Sequence, residues 1–223
     1  VLLRAARVYV IHFALIADHV GTLPIGVGHV VEDRLVEGVD DPPAWAGALA
    51  AIDAAGVIEI VPAETTVVVR CARERHEAIG EVLDIVVPGP GDVDDEQPLT
   101  IDVVYDGPDL AELALAARVS VDDVVRLHAT GSYQVAFCGF SPGFAYLRGI
   151  DRRLHVPRRE TPRASVPAGS VGVAAGYSCV YPSASPGGWH VIGHTTEALW
   201  DVDSDPPARL RPGRAVRFRM VSG

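Results

Sequence analysis

The sequence predicts a small α+β domain followed by a mainly-β domain closed as a barrel or packed as a sandwich. Three observations predict it. Charge divides the chain, since residues 1–99 hold 6 Arg against 17 acidic residues and residues 100–223 hold 13 Arg against 12. The stretch PGPGDVDDEQP (88–98) is rich in Pro, Gly and acid and has no apolar periodicity, which is the composition of a linker. Beyond residue 130, short β-branched runs separated by Gly and Pro turns replace helical periodicity. We therefore expect a small α+β domain over 1–88, with 1–27 unassigned, a linker over 89–99, and the β domain over 100–223.

In the first half, Asp41-Pro42 is a helix start, an Asp cap with Pro at the first helical position. Trp45, Leu49 and Ile52 recur at helical spacing, and Gly56 offers a stop. VIEIV (57–61) and TTVVVRC (65–71) read as strands around a Pro-containing turn, and ERHEAIGEVLDIV (74–86) as a second helix. A helix, two strands and a helix after an early strand suggest a ferredoxin-like unit.

The second half opens with TIDVVY (100–105), where Ile101, Val103 and Tyr105 share one face. GPDLAELALAARV (107–119) reads as a helix, and Ser120 with Asp123 resembles a capping box for another through Leu127. The runs YQVAFC, VGVAA, SCVY, WHVIG, ALWD and AVRFRMV then read as strands. In the last, Val216, Phe218 and Met220 alternate with Arg217 and Arg219, the pattern of a half-buried strand.

Composition excludes several functions. The net charge of −10 argues against nucleic acid as the main partner. All 19 basic residues are Arg, so the chain has no Lys for a Walker phosphate loop, a pyridoxal Schiff base or attached biotin. Three Cys without a C-x-x-C pair argue against a disulfide framework and for a reducing cytoplasm. Cys138 beside a Gly-rich loop suits either a catalytic thiol or a buried apolar residue. The first residues are apolar but interrupted by Arg4, Arg7 and His12, too short and too charged for a membrane span.

Residues 139–189 interleave aromatics, guanidiniums and 8 Gly. Arg158, Arg159 and Arg163 form a dense basic cluster, either an anion-binding fork or surface ion pairs. Gly169-Ser170 offers a backbone nest for an oxyanion or an ordinary turn, and Ser185-Pro186-Gly187-Gly188 reads as a tight turn. Phe140, Phe144, Tyr146 and Trp189 either wall a pocket or pack a core. His190 and His194 fall roughly 13 Å apart along a strand, too far to share a metal, and no metal-ligand set is evident. His128 at a helix end suits a general base or a dipole-capping role.

Together, FCGFSPGFAYL (137–147), PRRETPRASVPAGSVG (157–172) and YPSASPGGWHVIGHT (181–195) resemble allophanate hydrolase subunit 1. The same family includes the B component of 5-oxoprolinase, a Kip-type inhibitor of a sporulation histidine kinase, and part of urea carboxylase. The resemblance covers about residues 100–221, with GVIEIVPAETTVVV (56–69) matching more weakly. It implies a C-terminal cyclophilin-like β-barrel behind a small α+β domain. It also implies a larger partner, of the type of allophanate hydrolase subunit 2 or the C component of 5-oxoprolinase. The implied activity is ATP-dependent hydrolysis of an amide or lactam in a small carboxylate or ureido substrate, by a two- or three-component complex whose isolated smaller member is inactive.

On that reading Arg158, Arg163 and Ser170 serve catalysis. Arg158 and Arg163 would hold a carboxylate or phosphate, and Gly169-Ser170 would stabilise developing charge. Phe144, Tyr146, Gly169, Gly187, Gly188 and His194 would line the substrate. His194 stands where the family usually has Arg, which implies altered anion binding. Two alternatives stay open, an inhibitor that docks on a sensor histidine kinase and a component of a biotin-dependent carboxyltransferase.

Overall fold

The computed structural model describes residues 8–11, 31–52, 55–85 and 97–223. Most of the expected 89–99 linker and of residues 1–27 lies outside the described residues. The chain divides into two compact units, Val1–Asp92 and Val93–Gly223.

In the first unit, β1 (Val8–Ile11), β2 (Val31–Glu37), β3 (Val57–Pro62) and β4 (Thr66–Ala72) form one sheet in the order β1-β2-β4-β3. Every neighbouring pair is antiparallel. Helix α1 (Pro42–Ala51) starts as its Asp-Pro signal predicts, with the Asp41 carboxylate accepting the Ala44 amide hydrogen at 3.4 Å. It ends at Ile52, ahead of the expected stop at Gly56. Helix α2 (His76–Ile85) follows a short 3-10 turn at Arg73–Arg75. Val67, Val69 and Cys71 alternate inward along β4 and meet Leu49 of α1 and Ile79 and Leu83 of α2. Each large aliphatic side chain buried this way contributes about 1.5–3 kcal/mol.

The second unit is built on a seven-stranded sheet. Its strands are β5 (Leu99–Val103), β6 (Tyr133–Cys138), β7 (Ala145–Arg148), β9 (Ser170–Ala174), β10 (Tyr177–Val180), β12 (His190–His194) and β13 (Ala215–Met220). Their order is β12-β9-β10-β7-β6-β13-β5. The two ends of this sheet meet. Val104, just past β5, and His194, ending β12, exchange backbone hydrogen bonds of 2.9 Å each. Gly107 and Asp109 donate to the carbonyls of Ile192 and Val191 at 3.1 Å, so the sheet nearly closes as a barrel. Helices α3 (Leu110–Ala117) and α4 (Val121–Ala129) add Leu113, Val124 and Leu127 to the main core.

A second apolar layer lies on the other side of several strands. Along β7, Ala145 and Leu147 face the main core while Phe144 and Tyr146 pack in an aromatic cluster with Trp189, Tyr181 and Cys179. Strand β9 is therefore buried on both faces. The ribbon of β8 (Arg163–Val166) and β11 (Ser185–Gly187) adds Val166 to this aromatic layer.

Three expectations change. Ser185–Gly187 is a strand paired with β8, because the Pro186 nitrogen needs no partner at a ribbon edge. ALWD is not a strand, and only Trp200 bridges Ala208. Met220 is 63% exposed although Val216 and Phe218 of the same face are buried, because β13 runs past the core at its end. Met220 lines a groove of about 630 Å³ with Tyr105, Val121 and Val125. Among the described residues, no helix is long and apolar enough to cross a membrane.

Candidate functional site

Residues 157–163 lead into β8 and carry the three arginines of the basic cluster. They do not converge on one spot. Arg163 is gripped by both oxygens of Asp109, at 2.7 and 2.6 Å. Asp109 precedes α3 and is 3% exposed in its side chain. Its Oδ2 also accepts the Val191 amide hydrogen at 2.7 Å. Burial pushes the Asp109 carboxyl upward, but the bonds from Arg163 and Val191, with Arg159 beyond, hold it below the usual carboxylate range. Arg163 thus ties β8 to the start of α3 and is not available to a ligand in this arrangement.

Arg159 donates through Nε to Glu112 at 3.0 Å, and its backbone amide donates to the Gly188 carbonyl at 2.8 Å. Arg158 differs from both. Its guanidinium lies 6.0 Å from the Trp189 ring centroid, and it has no carboxylate partner among the described residues. Of the three, Arg158 is the cation left for an incoming anion.

Trp189 belongs to a continuous aromatic cluster. Phe144 is buried and meets Phe140, Tyr146, Tyr181 and Trp189 at centroid distances of 5.2, 5.2, 5.3 and 5.9 Å. Tyr146 stacks on Phe137 at 4.3 Å and lies 5.6 Å from Trp189. Phe144 is therefore a packing residue that backs the cluster rather than an open pocket wall. Phe140 is 64% exposed and adopts a φ of +73°, a backbone strain that turns at binding sites often store. The neighbouring Ser141 hydroxyl is buried without a hydrogen-bond partner among the described residues.

The expected oxyanion nest is occupied. The Gly169 amide donates to the Tyr181 carbonyl at 2.8 Å, and the Ser170 amide to the Pro167 carbonyl at 3.3 Å. Gly169 has a φ of +79°, and a Cβ there would strike the Thr195 carbonyl, so this glycine serves the turn. Ser170 is buried at the start of β9. Gly187 admits the Tyr181 ring against the ribbon, since a Cβ would meet its hydroxyl. His194 sits on the barrel seam with Nδ1 2.9 Å from Asp106.

Two other candidates belong to the core. Burial pushes the Cys138 thiol up to about 11, and its sulfur contacts the Leu210 carbonyl at 3.6 Å, which suits a buried apolar residue and not a thiolate. His128 is fully buried, and burial pushes its imidazole down to about 3. Its Nε2 lies 2.8 Å from Ser178 Oγ and its Nδ1 2.7 Å from the Tyr105 hydroxyl. Ser178 donates onward to the Gly172 carbonyl at 3.3 Å. One neutral tautomer satisfies this chain, with Tyr105 donating to Nδ1 and Nε2 donating to Ser178.

The residues that the sequence left unmarked are Asp109 and Glu112. They sit 54 and 47 positions from their arginines, and Asp109 reads locally as a helix cap. Among the described residues, no three His, Cys, Asp or Glu side chains gather as a metal site.

A family model described as "carboxyltransferase domain, subdomain C and D" matches residues 29–210. A protein from Escherichia coli O157:H7, named as the B component of 5-oxoprolinase, is 41% identical over 186 residues, 78% of this chain and 83% of that protein. The protein of the same name from Bacillus subtilis is 45% identical over 116 residues, 52% of this chain and 48% of its own. The solved structure titled TTHA0988 superposes with a TM-score of 0.75 at 31% identity, covering 87% of this chain but 41% of that one. The chain thus spans about half, or less, of the Bacillus protein and of TTHA0988.

Proposed function

Because this chain belongs to the carboxyltransferase-domain family, subdomains C and D, we propose that it is one component of a multi-component 5-oxoprolinase. In this reading a cyclophilin-like barrel carries the site, and the first unit is a ferredoxin-like scaffold. The domain limits fall within residues 89–99. The observation that carries the reading is Arg158, a cation over an indole with no carboxylate partner among the described residues to neutralise it.

A guanidinium beside an aromatic face suits a small, flat, carboxylate-bearing ring. Arg158 takes the carboxylate of 5-oxoproline as a charge-assisted pair, the exposed Phe140 covers the lactam ring, and the buried Trp189 backs the guanidinium. Arg163, Asp109, Arg159 and Glu112 hold the loop beneath, so Arg163 positions rather than binds. Tyr146, Gly187, Gly188 and Ser170 support the same surface from below, and His194 secures the seam. The oxyanion donors for lactam opening come from elsewhere in the complex, given that the Gly169 and Ser170 amides are occupied.

ATP chemistry belongs to the assembly, because a chain without Lys leaves phosphates to Arg, backbone amides or a partner. That partner is a larger protein of the type of the 5-oxoprolinase C component, and three cysteines that form no disulfide among the described residues suit work in the reducing cytoplasm.

Co-expression with the larger partner and the ATP-using component, followed by an assay of glutamate release from 5-oxoproline with and without ATP, tests this. Arg158→Ala should lower ATP-dependent turnover at least about 100-fold, the effect of losing a charged contact that forms with the reacting substrate. Unchanged turnover in that variant would refute the assignment. The family's carboxyltransferase description supports a second reading, transfer from a partner's carboxybiotin. Loss of activity on adding avidin would favour it over the first.

A further inference from the structure

The imidazole of His190 lies directly behind the Arg158 loop. It is 4% exposed and follows Trp189 in the chain. Its Nε2 lies 3.2 Å from the carbonyl of Pro157, the residue before Arg158. A carbonyl only accepts, so Nε2 carries a hydrogen. In the neutral ring Nδ1 is then a bare acceptor. That atom is buried with no hydrogen-bond partner among the described residues. What faces it is Glu112 Oε1, 3.5 Å away on α3. Two acceptors therefore confront each other, and a proton on Nδ1 turns that contact into a donor–acceptor pair.

The surrounding charges are few and specific. Glu112 already accepts from Arg159 Nε, on the same loop as Arg158. Asp109, at the start of α3, is committed to Arg163 of β8 and to the Val191 amide, with Arg159 3.8 Å away. Arg158 stands over Trp189. His190 is the one member of this group that can both donate and accept a hydrogen bond.

We infer that His190 is a positioning residue, a proton-operated latch that fixes the Arg158 loop against α3. With a proton on Nδ1, the ring bridges the Pro157 carbonyl to the Glu112 carboxylate, and the guanidinium is held over the indole. Without it, the facing acceptors repel and the loop loosens. The inference deepens the reading of Arg158 as the anion site and rests on it for its functional consequence. The latch itself rests only on the geometry. Protonation and anion binding then favour each other reciprocally, so carboxylate affinity falls as pH rises.

The test uses the full chain and NMR. The His190 ring signals should titrate, and Glu112→Gln should lower their midpoint, because the neutral amide no longer favours the charged ring. The Trp189 indole signal should move with that midpoint in the wild type and stay still in His190→Gln, which keeps a donor for Pro157. A midpoint unmoved by Glu112→Gln, or a Trp189 signal insensitive to pH, overturns the latch. If His190→Gln does not fold, Glu112→Gln decides alone, since Glu112 is about half exposed and tolerates the change. Calorimetry with 5-oxoproline separates the two ideas. Binding should weaken about five- to tenfold from pH 6 to pH 8 in the wild type and stay flat in Glu112→Gln. If the latch titrates in the NMR experiment but 5-oxoproline binds at no pH, the substrate reading fails and the latch stands.

Discussion

At the scale of single residues, the site is organised by a carboxylate that looks like a helix cap. Asp109 holds Arg163 with both oxygens and Val191 with one, so three segments distant in sequence meet on one buried side chain. Asp109→Asn removes the charge and one acceptor and leaves a partly buried guanidinium unmatched. We expect a loss of about 2–4 kcal/mol in the urea unfolding free energy, the range for breaking one side of a buried pair. A change below about 0.5 kcal/mol would show that the pair is not structural. Arg159→Ala should cost far less, because its Glu112 partner is half solvated. The basic cluster was legible in the sequence, but which arginine stays free was not. That choice depends on carboxylates about 50 positions away, brought near only when α3 runs back along β12.

At the scale of elements, the helices that the chain announces by their caps form where those caps stand. Helix α4 begins where Ser120 and Asp123 suggest, with Ser120 Oγ accepting the Asp123 amide hydrogen at 3.0 Å and donating to its carboxylate at 2.7 Å. Ser120→Ala should therefore cost about 1 kcal/mol in unfolding free energy, and Ser120→Thr, which keeps a hydroxyl for both bonds, should recover most of it. A Thr variant no more stable than Ala would contradict the cap. The asymmetric strands were harder to see. β8 and β11 are short, Pro- and Gly-bearing segments whose pairing defines them, and neither shows period-2 alternation. β9 is buried on both faces, so its VGVA run gives no sign of which residues face the aromatic layer. Phe144 and Tyr146 were legible as aromatics near the site, yet only the stacked geometry assigns Phe144 to the packing beneath it.

At the scale of the molecule, the barrel of the second unit closes around an ionisable core. The predicted β class follows from many short apolar strands, whereas closure follows from the Val104 and His194 backbone exchange, for which neither residue type carries a signal. Inside, His128 joins α4 to β10 through Ser178 and to the segment after β5 through Tyr105. Its folded-state value near 3 lies below that of a free imidazole near 6.5, so the unfolded chain binds the proton more tightly. The contribution of His128 is fully present above about pH 6.5 and is lost as pH falls toward about 3. Asp109, also held below its ordinary value, adds a further loss at the acid end of that window. The slope from His128 alone approaches one proton, about 1.4 kcal/mol per pH unit. Urea unfolding at pH 5, 6 and 7 measures it. Carrying out the series in the Glu112→Gln background removes the opposing gain expected from a His190–Glu112 pair. His128→Gln should be less stable at pH 7, because Tyr105 and Ser178 lose a well-placed partner. It should also show a flatter decline toward pH 5. Equal slopes in the two proteins would mean that the buried imidazole is not what makes the barrel acid-sensitive.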